Sequence, residues 1–320
     1  MDLFKQVENK NVLVIGDVMI DAYLWGNVNR ISPEAPVPIV SVTKRENRLG
    51  GAANVALNLK SLGVNPIICS VIGDDESGDL YSDLMHSNLL STEGLVIANR
   101  RKTTRKTRVI SGGQHLLRVD DEVSYHLTNQ EENDLIQNIS NIINKNDVLA
   151  IVFEDYDKGI VSENLINKVT EIAKIKSIPT TVDPKKNNYN LYTDITLFKP
   201  NFKEFVEGAK LDILKADTEG IFENAKKIIV ERNIKYVFVT LSELGVFICN
   251  KDEYFLIPAE YRQITDVSGA GDTVISVATL LLAQNYKMKD IAEISNKAGG
   301  IVCEKVGVVS IKKEDLLKEI

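Results

Sequence analysis

Near its start the chain carries a short apolar run, Asn11–Gly16 (NVLVIG), too brief for a helix and closed by glycine, which predicts a strand buried on both faces. Asp17 then stands at the C-terminal end of that strand. A different period follows Gly50-Gly51: Val55, Leu59 and Leu62 recur at helical spacing through 52–62, and Gly63 stops the run. Residues 66–72 return to the strand pattern. Further strands are predicted at 147–153, 179–182, 196–199, Tyr236–Thr240 and Val246–Cys249, the last paired as a hairpin with 253–257. Helices are predicted at 163–176, 202–206, 220–231, 272–283 and 290–305. Strands alternating with helices imply βαβ units, hence an α/β fold with a doubly wound, mostly parallel sheet covered on both faces. In such folds ligands sit beyond the carboxyl ends of the strands.

Two stretches break this rhythm. Residues from about 22–46 and 103–122 show period-two alternation without helices between the runs (Val37 and Ile39, then Val109, Leu117 and Val119). That pattern suits antiparallel strands with one open face, a small β lid beside the main body. No repeat or long linker interrupts the chain, so 1–320 reads as a single unit.

Composition narrows the function. With 44% hydrophobic and 26% charged residues the chain can close a core without metal or disulfide staples. A net charge of −7 leaves no general attraction for phosphate backbones or anionic membranes, so neither nucleic acid nor membrane is an expected partner. The longest mostly apolar run, 274–283, is too short to cross a bilayer, and the first residues lack an apolar signal core, so cytoplasmic residence is expected. Cys69, Cys249 and Cys303 sit in apolar runs without zinc-ligand spacing, and the three histidines have no partner at metal spacing. Acid–base chemistry therefore falls to a carboxylate.

The segment Asp266-Val267-Ser268-Gly269-Ala270-Gly271-Asp272 opens a predicted helix. Small residues there let backbone N–H groups approach an anion, and Asp272 lies beside them at the positive end of the helix. Phosphoryl transfer to a hydroxyl needs such a pairing of donors with a base. Gly50-Gly51-Ala52-Ala53-Asn54 opens a second helix the same way, which suggests two ligands. Neither G-x-x-x-x-G-K-[ST] nor G-x-G-x-x-G occurs.

These two signatures, in this order, resemble those of the ribokinase-like (PfkB-type) carbohydrate kinases. The resemblance implies an αβα sandwich with a β lid, Asp272 as catalytic base, and Gly269, Ala270 and Gly271 as the anion hole. Residues 16–21 (GDVMID) with 30–38 (RISPEAPVP), Val182-Asp183-Pro184-Lys185 and Lys199-Pro200-Asn201 are similar to the members acting on D-glycero-β-D-manno-heptose 7-phosphate. That implies ATP-dependent phosphorylation of the anomeric hydroxyl to the 1,7-bisphosphate, in ADP-heptose supply for lipopolysaccharide core. Such kinases often carry a fused adenylyltransferase half; none is expected within 1–320.

Carried over residue by residue, Asp17, Asp21, Gly50, Gly51, Asn54 and Asp155 would bind the sugar. Lys106 and Arg108, within a basic run over 100–108, would meet its phosphate. Lys185, Asn201, Glu204, Thr240, Ser242, Gly245 and Asn296 would line ATP, with Glu204 organising Mg²⁺ through water. A monovalent cation near Asp266 and a homodimer through the lid also follow from the resemblance. Departures occur at Glu154, where heptose kinases have a small polar residue, at Gly112-Gly113 and at Lys186-Asn187. They bear on the sugar more than on the reaction. A kinase for another sugar or sugar phosphate, or a non-catalytic sugar or nucleotide sensor on the same scaffold, are the alternatives.

Overall fold

The computed structural model describes residues 3–320. In chain order the strands are β1 (Asn11–Gly16), β2 (Val18–Ile31), β3 (Pro38–Gly51), β4 (Asn65–Gly73), β5 (Leu95–Ala98), β6 (Thr104–Ser111), β7 (Gln114–Asp121), β8 (Val148–Glu154), β9 (Thr180–Asp183), β10 (Leu197–Phe198), β11 (Tyr236–Thr240), β12 (Val246–Cys249) and β13 (Tyr254–Ile257). The α-helices are α1 (Ala52–Ser61), α2 (Glu76–Ser87), α3 (Asn129–Lys145), α4 (Glu163–Ile175), α5 (Phe202–Gly208), α6 (Thr218–Arg232), α7 (Ala270–Ala283), α8 (Met288–Cys303) and α9 (Lys313–Leu317).

Nine strands form one sheet in the order β13-β12-β11-β10-β9-β8-β1-β4-β5. From β5 to β11 every pairing is parallel, and the hairpin β12–β13 closes one edge antiparallel. The pleat divides each central strand between two cores. Val12 and Val14 of β1 join the core under α1, α7 and α8, whereas Leu13 and Ile15 join the core under α3, α4 and α6. Apolar residues on both pleat faces explain why these strands read as unbroken runs.

A second, four-stranded sheet has the order β3-β2-β6-β7. Its expected position holds, but its strands are longer than the alternating runs, and β2 pairs with β6 in parallel rather than antiparallel fashion. The sheet grows directly out of the main body: β2 follows β1 across Asp17, and β3 ends at Gly51 on the threshold of α1. Val18 pairs with Gly51 at this junction.

Three helices lie outside the predicted set: α2, α3 and the short α9. α3 is entered through a capping box in which Thr128 and Glu131 serve each other's backbone N–H, and it buries Leu135, Ile139, Ile142 and Ile143. α2 starts at Asp75, whose side chain accepts from the Gly78 N–H at 2.7 Å. Both are mostly polar, so their apolar stripe is narrow. No helix among the described residues is long and apolar enough to cross a membrane.

Candidate active site

The bend before α7 is fixed by Asp266, which accepts the N–H of Ser268 at 2.9 Å and of Gly307 at 3.0 Å. Gly269 follows with φ of +81°, a conformation that favours glycine. The Thr273 N–H closes the first helical turn on the Gly269 carbonyl, and the Ala270 N–H donates to the Val267 carbonyl at 3.3 Å. Of the predicted anion-hole residues, Ala270 thus has its amide engaged in the bend. First-turn amides have no intrahelical acceptor, which leaves those of Gly271 and Asp272 as the donors the helix start presents. A Cβ on Gly271 would stand 3.6 Å from Asp183 Oδ2 and 3.7 Å from Lys199 Nζ, so the helix entry faces the ends of β9 and β10.

Asp272 is 7% exposed. The Tyr156 hydroxyl donates to its Oδ1 at 3.3 Å, and the Asn54 side chain on α1 lies near enough to favour its charged form. Burial, then the charge of Asp183, push its carboxyl up to about 6, against the pull of Lys199, Asn54 and Lys185. The two glycine-rich helix entries are thereby joined through one Asn–Asp contact.

Around Asp272 lies a charged cluster. Glu154 ends β8, Asp183 ends β9, and oxygens of Glu154, Asp183 and Asp272 all lie within 4.8 Å of one another. Lys199 Nζ bonds Asp183 Oδ2 at 2.8 Å, and Lys185 Nζ sits 3.5 Å from Asp183 Oδ1 and 2.7 Å from Glu204 Oε1. Burial opposes the charge of Asp183, but the ammonium groups of Lys185 and Lys199 outweigh it and hold the acid below its ordinary value. Glu154 is pushed well up by burial and by Asp183 and Asp272.

On the predicted nucleotide side, Asn201 and Glu204 form a capping box at the start of α5. Glu204 accepts the Asn201 N–H at Oε2, at 2.8 Å, and the Lys185 ammonium at Oε1, so the same side chain both caps the helix and reaches the cluster. Thr240 is placed beside them, its N–H donating to the Pro200 carbonyl at 3.2 Å. Ser242 and Gly245 shape the turn after β11, where the Leu241 N–H donates to the Gly245 carbonyl at 2.8 Å. Any side chain on Gly245 would strike the Ile257 carbonyl, 2.0 Å from its ideal Cβ. Asn296 donates to the Pro258 carbonyl at 2.9 Å and anchors the segment that follows β13.

On the predicted sugar side, a cavity of about 280 Å³ lies between the small sheet and α1, lined among others by Asp21, Tyr23, Arg48, Asn54 and Asn58. At Gly50 a Cβ would lie 2.4 Å from Asp21 Oδ2 and would displace that side chain, and Gly51 turns the chain into α1 with φ of +63°. Arg48 and Arg108 stand over the Tyr23 ring with Cζ at 4.9 and 5.4 Å from its centroid. Arg108 also pairs with Asp21, and Arg48 with Glu46. A more open depression of about 670 Å³, lined by His126, Asp157 and Asn187 among others, contains neither glycine-rich turn.

Three expected sugar ligands are otherwise engaged. Asp17, 1% exposed, accepts the N–H groups of Tyr156, Lys158 and Ile160 at 2.8, 3.2 and 3.3 Å, and so positions the loop carrying Tyr156. Asp155 is fully buried, accepts from Asp157 N–H, Asn188 and Tyr192, and is pushed up to about 6 by burial and the Asp17 charge. Lys106 bonds Glu122 at 2.6 Å and Asp120 at 3.1 Å, and Glu122 also holds Lys158 at 2.7 Å, clasping the small sheet to the body. Conversely, Asp183, Lys199, Glu154 and Arg48 were not among the predicted site residues. The available signal was charge at the ends of buried strands, since a buried lysine such as Lys199 requires a carboxylate partner.

Residues 9–315 match the pfkB family carbohydrate kinases. The chain is 37% identical to the bifunctional protein HldE of Desulfatibacillum aliphaticivorans over 310 residues, covering 97% of this chain and 63% of that one. The HldE of Campylobacter jejuni subsp. jejuni serotype O:2 is likewise 37% identical over 314 residues, covering 98% and 65%. The chain thus spans somewhat under two thirds of these curated relatives. Among solved structures, Escherichia coli phosphofructokinase-2 superposes with a TM-score of 0.78 in complex with potassium and 0.76 in complex with fructose-6-phosphate, at 18% identity and 97% coverage of both chains. By this match over most of its length, the chain belongs to the pfkB family of carbohydrate kinases, ATP-dependent sugar kinases on the ribokinase-like α/β fold.

Proposed function

We propose that the protein transfers the γ-phosphoryl group of ATP to the anomeric hydroxyl of D-glycero-D-manno-heptose 7-phosphate, giving the 1,7-bisphosphate used in ADP-heptose supply. The observation that carries this reading is the Asp272–Asn54 contact, which ties a buried carboxylate at an amide-presenting helix start to a cavity flanked by two guanidinium groups. The phosphate of a sugar phosphate calls for such cations, and Arg48 and Arg108 each hold a carboxylate that a phosphate would replace. Similarity to the two HldE proteins and the 30–38 string support the heptose.

The residues present fit ATP and Mg²⁺, since the open amides at α7, Lys185 and the Glu204 carboxylate form a donor set for phosphate oxygens and a hydrated cation. Mg²⁺ bound with ATP neutralises phosphate charge, and Glu204 would hold it through water. Asp272 takes the proton of the anomeric hydroxyl as its oxygen bonds to the γ-phosphorus, the bond to the β-phosphate oxygen breaks, and ADP leaves. Asn54 and Tyr156 orient the carboxylate, while the amides of Gly271 and Asp272 face the developing charge.

An ADP-release assay across a sugar panel that includes heptose 7-phosphate tests the assignment. Preference for an unphosphorylated hexose or pentose rejects the heptose, and binding without ADP release turns the reading into a sensor. A kinase for another sugar phosphate is the second reading, favoured by Glu154 in place of a small polar residue. We further propose that the small sheet, with Ile31, Val37 and Leu117 exposed, pairs two copies, and that a monovalent cation acts beside Asp266. Sedimentation of Ile31→Asp and turnover with potassium against tetramethylammonium test these two.

A further inference from the structure

We propose that Glu154, Asp183 and Asp272 hold a divalent cation of the hard, oxygen-seeking class, Mg²⁺ or Mn²⁺, bound by the protein itself and separate from the ion that travels with ATP. The site does not depend on which sugar is phosphorylated.

Glu154 supplies the first reason. Its side chain is fully buried, and neither Oε1 nor Oε2 has a hydrogen-bond partner among the described residues. A carboxylate taken out of water with both oxygens unserved is among the costliest groups a fold can carry. Its neighbours make the position worse for a bare carboxylate. Glu154 and Asp183 are register partners on the adjacent parallel strands β8 and β9, and Asp272 on α7 faces them.

Geometry supplies the second. The three carboxylates offer oxygens all within 4.8 Å of one another. Two oxygens on opposite sides of one ion stand about 4.2 Å apart for Mg²⁺ and about 4.8 Å for Ca²⁺, twice the metal–oxygen distance. The cluster is therefore already near coordination spacing, and its ligands come from two core strands and a core helix.

Charge supplies the third. Four carboxylates, Glu154, Asp183, Asp272 and Glu204, gather about the two ammonium groups of Lys185 and Lys199. The surplus of two negative charges is what one divalent cation cancels. An all-carboxylate donor set, without histidine or cysteine, selects Mg²⁺ or Mn²⁺ over zinc or copper.

Mn²⁺ titrated into metal-stripped, nucleotide-free protein and followed by electron paramagnetic resonance tests the site without sugar or ATP. Wild-type protein is expected to bind one Mn²⁺, Glu154→Gln to bind it at least about tenfold more weakly, and a non-hydrolysable ATP analogue to add a second Mn²⁺ in both. If Glu154→Gln does not fold, crystals of the wild-type protein soaked in Mn²⁺ are expected to show an anomalous peak among the three carboxylates. Three results overturn the proposal: no Mn²⁺ bound before nucleotide, unchanged affinity in Glu154→Gln, or an infrared band of a protonated acid that persists in saturating Mn²⁺ and vanishes in Glu154→Gln. The last would mean that a proton satisfies Glu154. Each would leave the transfer reaction itself standing, because that is read by ADP release.

Discussion

At the carboxyl edge of the nine-stranded sheet, Glu154, Asp183, Lys199 and Asp272 are each 7% exposed or less, whereas on the four-stranded sheet the whole of β7 is exposed and its charges pair in the open. Both regions are rich in carboxylates facing cations. In the first, removal from water makes each partner indispensable and shifts the acids strongly. In the second, solvent screens the pairs, each is worth about 0–1 kcal/mol, and a partner can be exchanged for a ligand at little cost. On the function proposed above, chemistry falls to the first region and substrate capture to their junction, where Arg48 and Arg108 flank Tyr23.

The comparison breaks most visibly at Asp272. Asp272→Asn keeps the shape of the bend and the amides, so kcat is expected to fall about 10²–10⁴-fold with ATP affinity retained. Near-normal turnover would remove Asp272 as the base. Next comes Lys199→Met, which strips a buried ammonium from Asp183 and leaves Lys185 as its cationic neighbour. A loss of about 3–5 kcal/mol in urea unfolding is expected; a loss under 1 kcal/mol would show that the edge tolerates charge as the small sheet does.

A smaller effect is expected at the junction. Arg48→Ala should raise KM for the sugar phosphate about 10–100-fold, from the loss of one charge-assisted contact, with KM for ATP unchanged. Equal changes in both constants would place Arg48 outside the acceptor site.

The smallest effect concerns the clasp. Burial acts to raise Glu122, but hydrogen bonds from Lys106 and Lys158 outweigh it and hold the acid below its ordinary value. A folded value below the unfolded one means that the clasp contributes above the unfolded glutamate value of about 4.3 and is lost as pH falls through the folded value. Trp25, the only tryptophan, lies on β2 and reports on that sheet. Its emission should change in acid before the body unfolds, and Glu122→Gln should show the loosened signal at neutral pH. A single transition shared with far-ultraviolet circular dichroism would contradict this.

The parallel sheet was legible because strands buried on both faces leave unbroken apolar runs, and β1, β8 and β11 lie where such runs stand. Asp272 and the two glycine turns were legible because close approach and positive φ demand small residues. α3 was missed although Thr128 and Glu131 spell a capping box, because the asparagines around Leu135 and Ile139 dilute its stripe. The parallel pairing of β2 with β6 left no mark, since period-two alternation is the same for either direction. Asp17 and Asp155 illustrate a further limit. Both end buried strands at the ligand edge, yet they bind backbone amides and buried side chains, and only their partners reveal it.

By itself the sequence determined the layered fold and the residue types offered at each strand end, for these follow from local periodicity and from steric needs within a few positions. Which of those residues meet was decided by tertiary structure. Glu154, Asp183, Lys199 and Asp272 are far apart in the chain and converge because β8, β9, β10 and α7 pack side by side, driven by apolar faces that carry no information about the polar groups at their ends.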